Sequence, residues 1–234
     1  MQLRTVPQAP ERAPEPRLLL PGPFRVAGAA VLAGCAVTPV LAAWLAGRGR
    51  PGWLDSVADP RILAALSRFP LLLHWLPKFG TLKPVTLMTL ALALAFVAAR
   101  RWPGAVLAIV AVPIASGLTE YVLKPYVGTA LLGQSFPSGH ATCLFALAAI
   151  WAIFLLDPAR HRVPRALRLV LMLLGLLLAA AVGAVMIAIR AHTLTDVVAG
   201  TAVGTGVALA CALSLDLIAS RGRRGRAARP APSR

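Results

Sequence analysis

Acidic residues are scarce in this chain: 8 Asp and Glu stand against 24 Lys and Arg over 234 residues, and charge of either sign amounts to only 14%. A soluble domain of this size needs a polar exterior. With 58% hydrophobic residues and a mean hydropathy of +0.76, too little polar surface is left to make one. A soluble fold is excluded and a bilayer indicated. Cysteine is also sparse. Cys35, Cys143 and Cys211 each lie inside an apolar run, without metal-site spacing or a disulfide framework, so they read as small core residues. No compact apolar stretch with a small-residue cleavage pattern stands near the start. Residues 1–23, with repeated Pro, Glu and Arg, read as a disordered cytoplasmic arm. The formal charge of +16 sits between the apolar runs. It is a topology signal and a contact with anionic headgroups, and no basic domain exists to bind nucleic acid.

A helix needs roughly 20 apolar residues to cross about 30 Å of hydrocarbon. Six such runs are present, near Phe24 to Ala46, Thr81 to Ala99, Pro103 to Leu123, Ala141 to Leu156, Leu169 to Ile189 and Asp196 to Ser220. The chain is therefore expected to be all-α, a six-helix transmembrane bundle over 24–220 with a basic cytoplasmic tail from 221 to 234. Assigned alternately to two sides, the basic residues divide sixteen to eight. The richer side takes the N-terminal arm, Arg100-Arg101, the Arg160 to Arg168 loop and the tail, which places both termini in the cytoplasm.

The segment 47–80 on the other side is neither a clean span nor a polar loop. Leu63, Leu66, Phe69, Leu72, Leu73 and Leu76 recur near helical spacing with Arg61, Arg68 and Lys78 among them. A helix lying in the interface and a helix packed over the bundle both satisfy this pattern. Gly200 and Gly204 form a small-xxx-small pair that permits close helix approach. Asp216, near the inner end of the last span, is expected to meet the basic tail or headgroup water.

Polar residues fit for chemistry converge on the outer face. Lys124 ends the third span, Gln134-Ser135-Phe136-Pro137-Ser138-Gly139-His140 leads into the fourth, and His192 and Asp196 open the sixth. A Pro-Ser-Gly turn before a helix leaves backbone N–H groups and a partial positive charge where a tetrahedral anion can sit. Four residues apart, His192 and Asp196 share a helix face, so the carboxylate takes a hydrogen bond from one ring nitrogen and leaves the other nucleophilic. The residues also admit plainer roles. Lys124 can snorkel or pair with Glu120 one turn earlier, Ser138 can be only a helix cap, and the histidines can be structural. A metal site is not expected, since beyond these residues no further Cys, His or Glu apart from His74 falls in a plausible outer position.

Pro137-Ser138-Gly139-His140 and the segment from His192 to Gly200 resemble the second and third motifs of the type 2 phosphatidic acid phosphatase superfamily, which includes the vanadium haloperoxidases. Lys124-Pro125 looks like the start of its first motif. The resemblance implies that His192 attacks phosphorus to form a phosphohistidine, oriented by Asp196. His140 would protonate the leaving alkoxide and then activate water. Ser138 and Gly139 would bind phosphate oxygens, Lys124 would supply a cation, and no metal or other cofactor would be needed. It implies a lipid phosphomonoester or pyrophosphate as substrate: phosphatidic acid, phosphatidylglycerol phosphate, or a polyprenyl phosphate or diphosphate.

Two departures stand out. The family's first-motif arginine position holds Leu131, and its third-motif arginine position holds Met186. Two charge-assisted hydrogen bonds at roughly 1.5–3 kcal/mol each correspond to about 10² to 10⁴ in rate. Arg190 is placed to restore one phosphate contact, provided that it lies in a loop. The alternative reading is a weakened or inactive member that binds a lipid phosphate or acts as a membrane scaffold. Retention of both histidines and Asp196 argues for the enzyme, because a binder needs no nucleophile.

Overall fold

The computed structural model describes residues 19–20, 22–45, 52–127, 136–156 and 163–227. Every regular element among them is helical: α1 Gly22–Leu45, α2 Trp53–Leu66, α3 Pro70–Phe79, α4 Leu82–Ala98, α5 Trp102–Gly117, a π-helical stretch Leu118–Leu123, α6 Lys124–Val127, α7 Gly139–Leu156, α8 Arg165–Ala188 and α9 Leu194–Ala227. Helices are the expected outcome of Leu- and Ala-rich runs in hydrocarbon, where each backbone N–H must find its partner within the segment. Pro70 and Pro103 stand in the first turns of α3 and α5, where their missing N–H costs nothing.

Five helices are long and apolar enough to cross a membrane: Phe24–Trp44, Trp102–Leu123, Gly139–Leu156, Arg165–Ala188 and Leu194–Gly222. The sixth expected run differs. It passes only when α3 and α4 are taken together, and that pair is bent by 61°. Gly80 ends α3 at this break, and a Cβ there would collide with the His140 ring. Multi-pass membrane character is written on the exterior as well. Leu87, Leu90 and Leu94 on α4 and Leu169, Leu173, Leu176 and Leu177 on α8 are exposed. Apolar patches of that extent need lipid or another partner to cover them.

Small residues draw the helices together. Ala105, Ala108, Ala111 and Ala115 form a buried stripe on α5, and Ala208 and Ala212 are buried on α9. A Cβ at Gly200 would collide with the Ser138 carbonyl, and one at Gly204 with the Thr142 carbonyl. At these two positions α9 therefore runs backbone against backbone along the first turns of α7. That contact sets the depth at which the His192 turn meets the Ser138 turn.

The segment 47–80 resolves in part into α2, which packs on α8 and α9, and α3, which packs on α8. On α3, Leu71, Leu72, Trp75 and Phe79 remain exposed, with Lys78 Nζ 3.8 Å above the Trp75 ring. At the opposite end of the bundle, Arg101 Nη1 donates to the Phe154 carbonyl at 2.7 Å and Arg168 Nη1 to the Leu155 carbonyl at 3.0 Å. Two guanidinium groups thus close the carbonyl end of α7.

Asp216 departs from its expected partners. It is buried and accepts the N–H groups of Leu19 at 2.7 Å and Leu20 at 3.0 Å, with Arg25 Nε 3.8 Å away. The last residues assigned to a disordered arm are therefore pinned to α9, and Leu19 and Leu20 join the apolar core. The expected tail is likewise helical as far as Ala227.

Candidate functional site

The turn from α8 into α9 carries the two residues expected to act as nucleophile and orienter. Two residues past the end of α8, Arg190 stands at φ 59, and the N–H of Arg190 bonds the Ile187 carbonyl at 2.9 Å while that of Ala191 bonds the Met186 carbonyl at 3.0 Å. This pairing is the Schellman closure, usually built on glycine because a left-handed residue with a Cβ costs about 1–2 kcal/mol. His192 follows, its N–H also directed at the Met186 carbonyl at 3.2 Å. Leu194 then begins α9.

Asp196 lies in the first turn of α9 and is 2% exposed. Its Oδ2 accepts the Thr193 N–H at 3.1 Å and faces His192 Nδ1 at 3.3 Å. With Nδ1–H directed at the carboxylate, Nε2 keeps its lone pair. His192 itself lines a cavity, so that lone pair belongs to a residue that can meet a ligand.

Two carboxylates that the sequence reading did not assign hold this turn from outside. Asp55 on α2, 1% exposed, accepts the Thr195 N–H at 2.9 Å and the Thr195 hydroxyl at 2.8 Å. Asp59, one turn later, accepts the Leu194 N–H at 3.1 Å. They satisfy N–H groups that the start of α9 leaves without intrahelical partners, and they place negative charge at its positive end. Burial, together with the neighbouring charges of Asp55 and Asp196, raises the Asp59 carboxyl to about 6 despite its hydrogen bond to Leu194.

The second motif is fastened to the third. Ser138 donates its N–H to the Asp196 carbonyl at 3.0 Å, while its own carbonyl accepts the Thr142 N–H and hydroxyl, both at 3.0 Å. Thr119 in the π-helical stretch bonds Thr142 Oγ1 at 3.1 Å, extending this chain to a third element. His140 packs on Gly80 and hydrogen-bonds the Pro77 backbone, which fixes its ring against the α3–α4 break.

Lys124 is clamped by Glu120, with Nζ 2.6 and 2.7 Å from the two carboxylate oxygens. Both residues, with Gly139, His140 and His192, line one cavity of about 760 Å³. It continues between α4 and α5 past Leu82, Val85, Leu90, Ile109 and Val112, so its floor is polar and its wall apolar. Such a cavity suits an amphiphile with a small polar head.

A family model described as the PAP2 superfamily matches residues 24–217, most of the chain. The chain belongs to the PAP2 superfamily. No curated protein and no solved structure matches it.

In this PAP2 chain His140, His192, Lys124 and Gly139 share the cavity, and Asp196 stands behind His192. Ser138 does not line it. That residue is fully buried, with its Oγ 3.4 Å from the Ala141 N–H in a capping position. Arg190 sits in a turn, as its expected role requires, yet it is exposed and outside the cavity lining. Met186 is buried in the core, and Leu131 lies outside the described residues. Among the described residues no three His, Cys, Asp or Glu side chains gather as a metal site. The signal for Asp55, Asp59 and Glu120 was their rarity, in a chain with only 8 acids.

Proposed function

We propose that this PAP2 chain is a lipid-phosphate phosphatase acting at the outer membrane face, hydrolysing a phosphomonoester or pyrophosphate through a phosphohistidine. PAP2 membership points to phosphatase chemistry. The observation that carries the narrower reading is the joint placement of His192 and His140 on one cavity, with Asp196 behind His192 and an apolar groove leading away.

In this mechanism His192 Nε2 attacks phosphorus and the bond to the leaving oxygen breaks. Protonated His140 gives that oxygen its proton. Asp196 stabilises the charge that develops on the His192 ring. Neutral His140 then takes a proton from water, which attacks the phosphohistidine and frees inorganic phosphate and His192. The lipid chain occupies the groove between α4 and α5. No step uses a metal.

The test is phosphate release by purified protein from phosphatidic acid, phosphatidylglycerol phosphate and polyprenyl diphosphate, against a soluble phosphomonoester. Lipid substrates are expected to be turned over, and EDTA to leave the rate unchanged. Loss of activity in EDTA with recovery on adding one specific divalent metal contradicts the mechanism. The lysine clamped by Glu120 and the absent arginines favour the second reading, a lipid-phosphate binder. That reading is adopted if no lipid releases phosphate while one of them binds in a manner indifferent to His192→Ala.

A further inference from the structure

Resting on the phosphatase reading, we propose that Glu120 is a resident anion of the phosphate site: its carboxylate occupies Lys124 and the Gly139 turn, and an incoming phosphate must displace it. The same carboxylate touches two residues that the family resemblance assigns to phosphate. Both its oxygens lie on Lys124 Nζ, at 2.6 and 2.7 Å, and Oε1 stands 2.5 Å from where a Cβ on Gly139 would be. A carboxylate and a phosphate present the same kind of acceptor oxygens to a cation, so the two compete for one place.

Charge around the cavity leads to the same assignment. Apart from its histidines, the described lining holds one cation, Lys124, and one anion, Glu120, and these cancel. The positions where the family carries arginines hold Leu131 and Met186. A phosphomonoester carrying a charge of about −1.5 to −2 thus gains a full cation only when the pair opens. Opening is within reach. The Glu120 side chain is 42% exposed and has room to turn away from the ammonium, whereas that of Lys124 is 22% exposed.

The local backbone keeps this exchange confined to side chains. Glu120 lies in the π-helical stretch, and its neighbour Thr119 is tied to Thr142 in the first turns of α7. π-bulges of this kind recur at functional sites. Glu120 also acts as a charge filter, since a singly charged phosphodiester displaces a carboxylate less readily than a phosphomonoester or pyrophosphate does.

The experiment compares full-length wild type, Glu120→Gln, Lys124→Met and the double variant in detergent. It reads orthovanadate inhibition of lipid-phosphate hydrolysis and calorimetric binding of inorganic phosphate. Glu120→Gln is expected to tighten both by about tenfold, the scale of one charge-assisted contact released to the ligand. Lys124→Met weakens both, and the double variant shows no gain over Lys124→Met. Where Gln lowers the yield of folded protein, Glu120→Asp replaces it and gives a smaller gain. Unchanged or weaker binding in Glu120→Gln, or a gain that persists without Lys124, overturns the proposal. If wild type hydrolyses lipid phosphates but Glu120→Gln binds no more tightly, the resident anion is wrong and the phosphatase stands. If Glu120→Gln tightens phosphate binding in a protein that hydrolyses nothing, the resident anion stands and the phosphatase falls. Binding by none of the four proteins, with no lipid phosphate hydrolysed, removes both.

Discussion

Asp55 holds Thr195 by its backbone N–H and its hydroxyl, and the turn so held carries His192 and Asp196. Asp55→Ala strands these buried donors at a cost of about 1–3 kcal/mol each. Its melting temperature should fall, and turnover should fall more than substrate affinity, because the nucleophile loses its support. Thermal unfolding and a kcat and KM comparison check this. Asp59 makes a pH prediction. Its folded pKa of about 6 lies above the ordinary 3.8, so the folded state holds a proton that the unfolded chain releases. The stability it contributes is full below the unfolded value and is lost as pH rises through about 6. Asp59→Asn, which does not titrate, should therefore gain on wild type in melting temperature between pH 4 and 6. A difference that stays flat across that window contradicts the assignment. The histidines and Asp196 were legible in the sequence because motif spacing and helix periodicity act locally. The partners of Asp55, Asp59 and Glu120 were less so. The two aspartates meet residues about 135 to 140 positions away, whereas Glu120, at i,i+4 from Lys124, was readable as a pair but not as a neighbour of Gly139.

At the scale of elements, the α7–α9 contact is the most exacting feature of the bundle. A Cβ at Gly204 runs into the Thr142 carbonyl, while one at Gly34 on α1 meets nothing within 4 Å. Gly204→Ala should lower thermal stability and activity together, since it separates the Ser138 turn from the His192 turn. Gly34→Ala should be neutral or gain up to about 1 kcal/mol from helix propensity. Melting curves in detergent distinguish the two, and equal behaviour contradicts the packing. The spans were readable because length and apolarity are properties of the run itself. The 61° break before α4 was not: it falls where the His140 ring, 60 positions away, packs on Gly80, a contact that no local run announces. The last span was read to Ser220, close to its observed end at Gly222, and α9 runs on to Ala227 because charge ends a membrane span without ending a helix. Its 34 residues extend about 51 Å, beyond the roughly 30 Å of a bilayer core.

For the whole molecule, the described exterior is largely apolar, and the sixteen-to-eight division of basic residues along the sequence predicts, under the positive-inside rule, that both termini are cytoplasmic. In a background without native cysteines, Trp53→Cys should be labelled by an impermeant reagent from outside, and Gly222→Cys only after the membrane is opened. The reverse pattern would turn the bundle over. Topology, cavity and motif together lead to one claim, that His192 is the nucleophile of a lipid phosphatase. Its most direct measurement is phosphate transfer from a radiolabelled lipid phosphate, followed both as released phosphate and as label retained on the protein. Wild type should release phosphate. His140→Ala should release it far more slowly, since leaving-group protonation and water activation are both assigned to His140, and any label it retains should be base-stable and acid-labile, as a phosphohistidine is. His192→Ala should do neither, and release by His192→Ala at the wild-type rate would contradict the account.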